Sequence, residues 1–126
     1  MKLLWVTMCL LALSPLGHAR LNVEQRNTSG IASYYGKREQ GRKTASGERF
    51  DRNKYTAASR YYRLGTILNV TYPKTGVTVM VRVTDRGPWV QGRVLDLSER
   101  AAQSLGLRAH GLGYIQITPV HLWGLQ

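Results

Sequence analysis

Thiol chemistry is all but missing from this sequence. Its 126 residues hold one cysteine, Cys9. A disulfide framework is therefore excluded, and so are a cysteine-ligated zinc site and, beyond that one position, a thiol nucleophile. Histidine is scarce too. His110 and His121 follow the leader described below, and neither has a second histidine or a cysteine at ligand spacing. Lone histidines of this kind are mostly surface or packing residues, so no metal is expected. There is no Gly-x-Ser-x-Gly element, no phosphate-binding glycine loop and no dinucleotide fingerprint, so no cofactor is expected either. Internal repeats, heptads and low-complexity tracts are absent.

Long apolar runs are also few. The one run of note, residues 3–13, follows Lys2 and is broken by Pro15, with Gly17-His18-Ala19 behind it. A positive start, a short apolar stretch and small residues at the end read as an export signal cut after Ala19. The run is too short to span a bilayer as a finished helix, so stable membrane insertion is not expected. Lipidation at Cys9 is disfavoured, because the apolar run before it is short and Leu10 follows. Residues 20–28 read as a mobile arm, 29–120 as one small domain and 121–126 as a tail. A periplasmic, envelope or secreted location follows, and a monomer is expected.

Acids are the last shortage: seven Asp and Glu against eighteen Lys and Arg, a net charge of +11. Such an excess favours an anionic partner. An exported protein seldom meets nucleic acid, so anionic wall polymer or lipid headgroup suits it better. General solubility explains the charge equally well. With so few acids, the placement of each one is informative.

What is present is short strands. Residues 29–36, 55–58, 67–72, 77–84, 94–97 and 113–118 carry β-branched and aromatic side chains between turn residues. Strand 77–84 alternates, with four valines on one face and Thr78, Met80, Arg82 and Thr84 on the other. Residues 98–106 read as the one helix, with Ser98 as N-cap and Gly106 as C-cap. Residues 37–53 form a charged loop, too long to be idle in so small a domain. The sum is a small, mostly-β barrel with one short helix. The chain centres on Val83-Thr84-Asp85-Arg86-Gly87-Pro88, where a strand delivers an acid and a base into a turn. A carboxylate there suits catalysis, although Asp85 could equally close its own turn.

Several stretches taken together resemble one known family. They are Gly30-Ile31-Ala32-Ser33-Tyr34-Tyr35-Gly36, Thr44-Ala45-Ser46-Gly47-Glu48, Thr56-Ala57-Ala58, Leu64-Gly65-Thr66, the Asp85-Arg86-Gly87-Pro88 turn and Leu95-Asp96-Leu97-Ser98. In this order they resemble the rare lipoprotein A family of bacterial cell-wall proteins. The resemblance implies a six-stranded double-psi β-barrel related to expansins. It also implies a lytic transglycosylase acting on peptidoglycan glycan strands. The C-terminal glycan-binding domain that many members carry is not expected here.

On the same resemblance, the catalytic acid falls on Asp85, a second functional acid on Glu48, and the acid important in expansin relatives on Asp96. A histidine usually follows the Thr-Ala-Ala segment; this chain has Ser59 there. Serine can exchange hydrogen bonds but cannot carry a proton near neutral pH as imidazole does. Tyr34, Tyr35 and Trp89 suit sugar rings, though each could equally be a packing residue. Arg42, Arg86 and Arg93 suit lactyl carboxylates, and Arg86 equally suits an internal clamp on the Asp85 turn. The alternative to an enzyme is a glycan-binding or wall-loosening module on the same barrel. A basic nucleic-acid or membrane-surface binder is the remote third reading.

Overall fold

The computed structural model describes residues 26–120. The leader reading, Cys9, most of the 20–28 arm, His121 and the tail lie outside the described residues. The elements run β1 (Thr28–Tyr35), a 3-10 turn (Lys37–Glu39), β2 (Thr56–Ala58), β3 (Ile67–Tyr72), β4 (Val77–Asp85), β5 (Arg93–Ser98), α1 (Glu99–Leu105) and β6 (Gly113–Pro119). The strands close into a six-stranded barrel in the order β1-β5-β2-β4-β3-β6. Two pairings are parallel, β1 with β5 and β2 with β4; the other four are antiparallel. Closure removes the edges that would otherwise invite further strand pairing.

The barrel is filled by side chains on alternate positions of each strand. Leu68, Val70, Val81, Val83, Leu95, Leu97, Ile115 and Ile117 are buried, and Ala32 and Ala57 fit where walls approach closely. Helix α1 closes one opening with Ala101, Ala102 and Leu105. Its caps are those expected: the Ser98 Oγ accepts the Ala101 amide at 3.3 Å, and Gly106 takes the left-handed conformation at φ 79°.

Two expectations need correcting. The first is β4, whose valine face is kept but is not buried throughout, and whose Thr84, expected on the other face, is buried. Val81 and Val83 lie in the core, but Val77 is exposed, because the β3–β4 hairpin extends past the barrel at its Pro73–Gly76 turn. The second is the loop at 37–53. It is folded back as a tight hairpin, with Lys43 paired to Arg49 and main-chain bonds Gly41 N–H to Phe50 O and Phe50 N–H to Arg42 O. Phe50, the one large apolar residue in that stretch, is buried edge-on against Tyr35 with ring centroids 5.4 Å apart. One aromatic anchor gives an otherwise polar segment a fixed seat.

Candidate functional site

Strand register assembles the site. Ser33 of β1 faces Asp96 of β5, Asp96 faces Ala58 of β2, and Ala58 faces Asp85 of β4. Four neighbouring strands thus place Ser33, Asp96, Ala58 and Asp85 in one row across the wall. The two acids flank a residue with only a methyl side chain, their backbones roughly 10 Å apart at two strand spacings. Strict alternation would send Asp85 inward with Val81 and Val83. Instead Arg82 and Val83 pair with Thr56 and Ala57, Thr84 has no partner on β2, and Asp85 pairs with Ala58. The extra residue is a β-bulge, and it returns Asp85 to the outer face that Asp96 occupies.

Asp85 is half-buried and firmly held. Its Oδ1 accepts the Ala45 amide at 3.0 Å and the Arg86 amide at 2.9 Å. Its Oδ2 has no hydrogen-bond partner among the described residues. The carboxyl therefore combines one anchored oxygen with one oxygen open to a ligand. Its main chain is tied as well, with the Asp85 carbonyl accepting the Ser59 amide at 3.0 Å and the Thr84 carbonyl accepting the Ser46 amide at 3.0 Å.

Asp96 sits in a drier place. Its Oδ1 accepts the Ser33 hydroxyl at 2.5 Å. Burial pushes its titration above the ordinary carboxylate range, aided by the negative charges of Glu39 and Asp85 and opposed by the Ser33 bond and Arg93. The N-cap of the helix is Ser98, two residues further on. Tyr35 completes the group. Burial, followed by the charges of Asp96, Asp85 and Glu39, pushes its phenol up to about 12, with Arg42 pulling the other way. Tyr35 thus lies within electrostatic reach of Asp96, Asp85, Glu39 and Arg42.

The remaining candidates divide. Trp89 is 75% exposed, and its indole lies against Gly87, next to the acid turn. Arg93 faces Asp96 electrostatically. Arg86 shows the bonds of an internal clamp: its Nη1 donates to the carbonyls of Ser59 at 2.9 Å and Tyr62 at 2.6 Å. Ser59 is fully buried, and its hydroxyl oxygen accepts the Tyr61 and Tyr62 amides, both at 3.0 Å. It shapes the turn that Arg86 clamps, and its side chain does not reach solvent. Tyr34 stands apart. Successive strand residues point to opposite sides, and Tyr34 lines a separate groove with Gln103 and Arg108, donating to the Arg108 carbonyl at 3.4 Å. Glu48 is exposed, and both its oxygens are engaged by Arg82.

Sequence reasoning missed Ser33, Glu39 and the Ala45 amide. Ser33 was legible in principle, since it is two residues from Tyr35 and so on its face. Ala45 is brought in by the folded hairpin and Glu39 by the 3-10 turn before it, and neither carries a pattern of its own. Among the described residues, no three His, Cys, Asp or Glu side chains form a metal-binding group.

The lytic transglycolase family matches residues 27–117, nearly the whole described barrel. The chain belongs to this family. Within it, the chain is 53% identical over 83 residues to an Aquifex aeolicus protein named "Probable endolytic peptidoglycan transglycosylase RlpA", covering 66% of this chain and 37% of that protein. It is 44% identical over 93 residues to the endolytic peptidoglycan transglycosylase RlpA of Pasteurella multocida, covering 74% and 32%. The chain thus spans about a third of the length of these relatives. Among solved structures, the apo expansin of Clavibacter michiganensis superposes with a TM-score of 0.62 at 30% identity, over 77% of this chain and 52% of that one. An aspartate-to-asparagine mutant of that expansin, in complex with cellohexaose, gives 0.61 at 27%, over 76% and 51%. The closed six-stranded barrel of this chain is therefore a double-psi β-barrel of the expansin kind, as the sequence resemblance implied.

Proposed function

We propose that this chain is an exported endolytic peptidoglycan transglycosylase. It would cleave the MurNAc–GlcNAc bond of peptide-stripped glycan strands and leave 1,6-anhydro-MurNAc ends. The observation that carries the reading is the state of Asp85: one oxygen is fixed by two backbone amides, the other is open, and the side chain sits on an outer wall beside a second acid and an exposed indole.

The chemistry needs one such group. Asp85, protonated, gives its proton to the bridging oxygen as the bond from the MurNAc C1 breaks and positive charge grows on the ring. The C6 hydroxyl of the same sugar attacks C1, and its proton passes to the Asp85 carboxylate. Proximity within one ring replaces an external water. Asp96 supplies negative charge near the developing cation, Trp89 offers a ring face for a sugar, and Arg93 and Arg42 offer cations to lactyl carboxylates.

The test is mass spectrometry of denuded peptidoglycan after incubation. Anhydro-muramyl ends should appear and should vanish with Asp85→Asn, which keeps an acceptor for both amides. Glycan retained by the protein with no such ends defeats the reading. That result would favour the second one, a non-catalytic glycan-binding or wall-loosening module, for which the buried Ser59 at the usual histidine place and the cellohexaose-bound expansin fold speak. A monomer acting in the periplasm or at the envelope completes the proposal.

A further inference from the structure

We infer that Glu48 is a positioning residue: an ionic latch to Arg82 that pins the 41–50 hairpin so that its Ala45 amide stays on Asp85. The functional side of this inference rests on the reading of Asp85 as the acid; the latch itself does not.

The hairpin is held unevenly along its length. Its base is secured by buried Phe50 and by main-chain bonds from Gly41 and Phe50. Its tip has no such help. Ala45, Gly47, Glu48 and Arg49 are exposed, so no apolar contact seats them. The tip is shaped by its own bonds: the Thr44 amide and hydroxyl both donate to the Glu48 carbonyl, at 2.9 and 2.6 Å, and the Ser46 hydroxyl accepts the Glu48 amide at 3.3 Å. Thr44 is buried beside Thr56 and Thr84 of the barrel, and among the described residues three polar contacts tie the tip to it. Ser46 N–H meets the Thr84 carbonyl, Ala45 N–H meets Asp85 Oδ1, and the Glu48 carboxylate meets Arg82.

The third contact is a two-pronged fork, Nη1 to Oε1 at 2.6 Å and Nη2 to Oε2 at 2.9 Å. Paired parallel bonds fix direction as well as distance. They also occupy both carboxylate oxygens, and Arg82 holds the Glu48 carboxyl below its usual range. A carboxylate so engaged is poorly suited to deliver a proton, and well suited to hold a loop. Arg82 and Asp85 lie on the same strand, three residues apart, with the bulge at Thr84 between them. Glu48 and Ala45 lie three apart on the facing hairpin. The latch and the amide contact therefore clasp the two segments at both ends of one short span.

The test uses the full chain and two readouts, the first independent of turnover. Amide hydrogen exchange is followed at Ala45 and Ser46, with Val83 as a core reference. Glu48→Gln should speed exchange at both tip amides about 2–5-fold, the range expected for losing an exposed ion pair, and leave Val83 unchanged. The charge swap, Glu48→Arg with Arg82→Glu, should restore protection. Unchanged exchange in Glu48→Gln, or a swap that restores nothing, overturns the latch even if the protein cleaves no glycan. The second readout is anhydro-end formation. It should fall in Glu48→Gln and recover in the swap, since arginine at position 48 can rebuild a latch but cannot donate a proton as a carboxylic acid does. A swap that restores exchange and leaves cleavage as low as in Glu48→Gln overturns the claim that Glu48 acts through Arg82.

Discussion

The two sides of the barrel wall are built from the same kind of strand and carry different side chains. On one side, β1, β5, β2 and β4 include both parallel pairings; on the other, β4, β3, β6 and β1 are joined by antiparallel pairings alone. Both halves bury the same aliphatic core. The antiparallel half even has an open groove of about 310 Å³ between β1 and β6, lined by neutral groups such as Ser29, Gln116 and Thr118. Yet β1, β3 and β6 contain no Lys, Arg, Asp or Glu. The charged strand residues are Arg82 and Asp85 on β4 and Arg93 and Asp96 on β5. The acids therefore belong to the paired run β5, β2 and β4, and the neutral groove to β1 and β6. Crossing strands in parallel brings residues from distant parts of the chain into register, which a local hairpin cannot do.

The largest contrast should be in turnover. Asp85→Asn should lower formation of anhydro ends by about 10²–10⁴-fold, the usual worth of a positioned acid, with little change in melting temperature. Thr118→Ala, in the opposite groove, should leave product formation unaltered. Equal losses at the two positions would erase the distinction between the halves.

Stability should show the reverse pattern. Leu97→Ala on the acid side and Ile117→Ala on the neutral side should each cost about 2–5 kcal/mol in denaturant titration, since both are fully buried in one shared core. A markedly smaller loss at Ile117 would mean that the neutral wall is loosely packed.

A smaller effect should follow from the charge of Asp96. Its titration in the folded chain lies above the ordinary value, so the folded state keeps the proton where the unfolded state has released it. The stability this provides is complete at low pH and is lost as pH rises through the raised folded value. Asp96→Asn should therefore raise the melting temperature at neutral pH and change it little near pH 3. A gain at both pH values would show that packing, not charge, is responsible.

The finest prediction concerns Tyr35. Difference spectra between the protein and its Tyr35→Phe variant should show one phenol ionising near pH 12. In the Asp96→Asn background that ionisation should move down toward the ordinary range, because one of the negative neighbours is gone. No movement would place Asp96 too far from Tyr35 to share a site.

Much of the fold was open to reading along the chain. Strand 67–72 has the observed bounds, and the helix caps at Ser98 and Gly106 were legible, because a pleat repeats every two residues and caps need particular side chains. The motif order also pointed to the double-psi barrel and to the family. Asp85, Asp96 and Tyr35 could be named as members of a site, but not their geometry. Alternation on β4 would have put Asp85 inside with the valines. The bulge at Thr84, the register through Ala58 and the fold-back of 41–50 onto the barrel depend on which strands close against which. Local sequence thus determined the elements and the inventory of acids, since both rest on short-range preferences. Tertiary pairing alone decided which acid faces outward, which is caged by arginine and which oxygen stays open, because those outcomes depend on contacts between residues 26 to 63 positions apart.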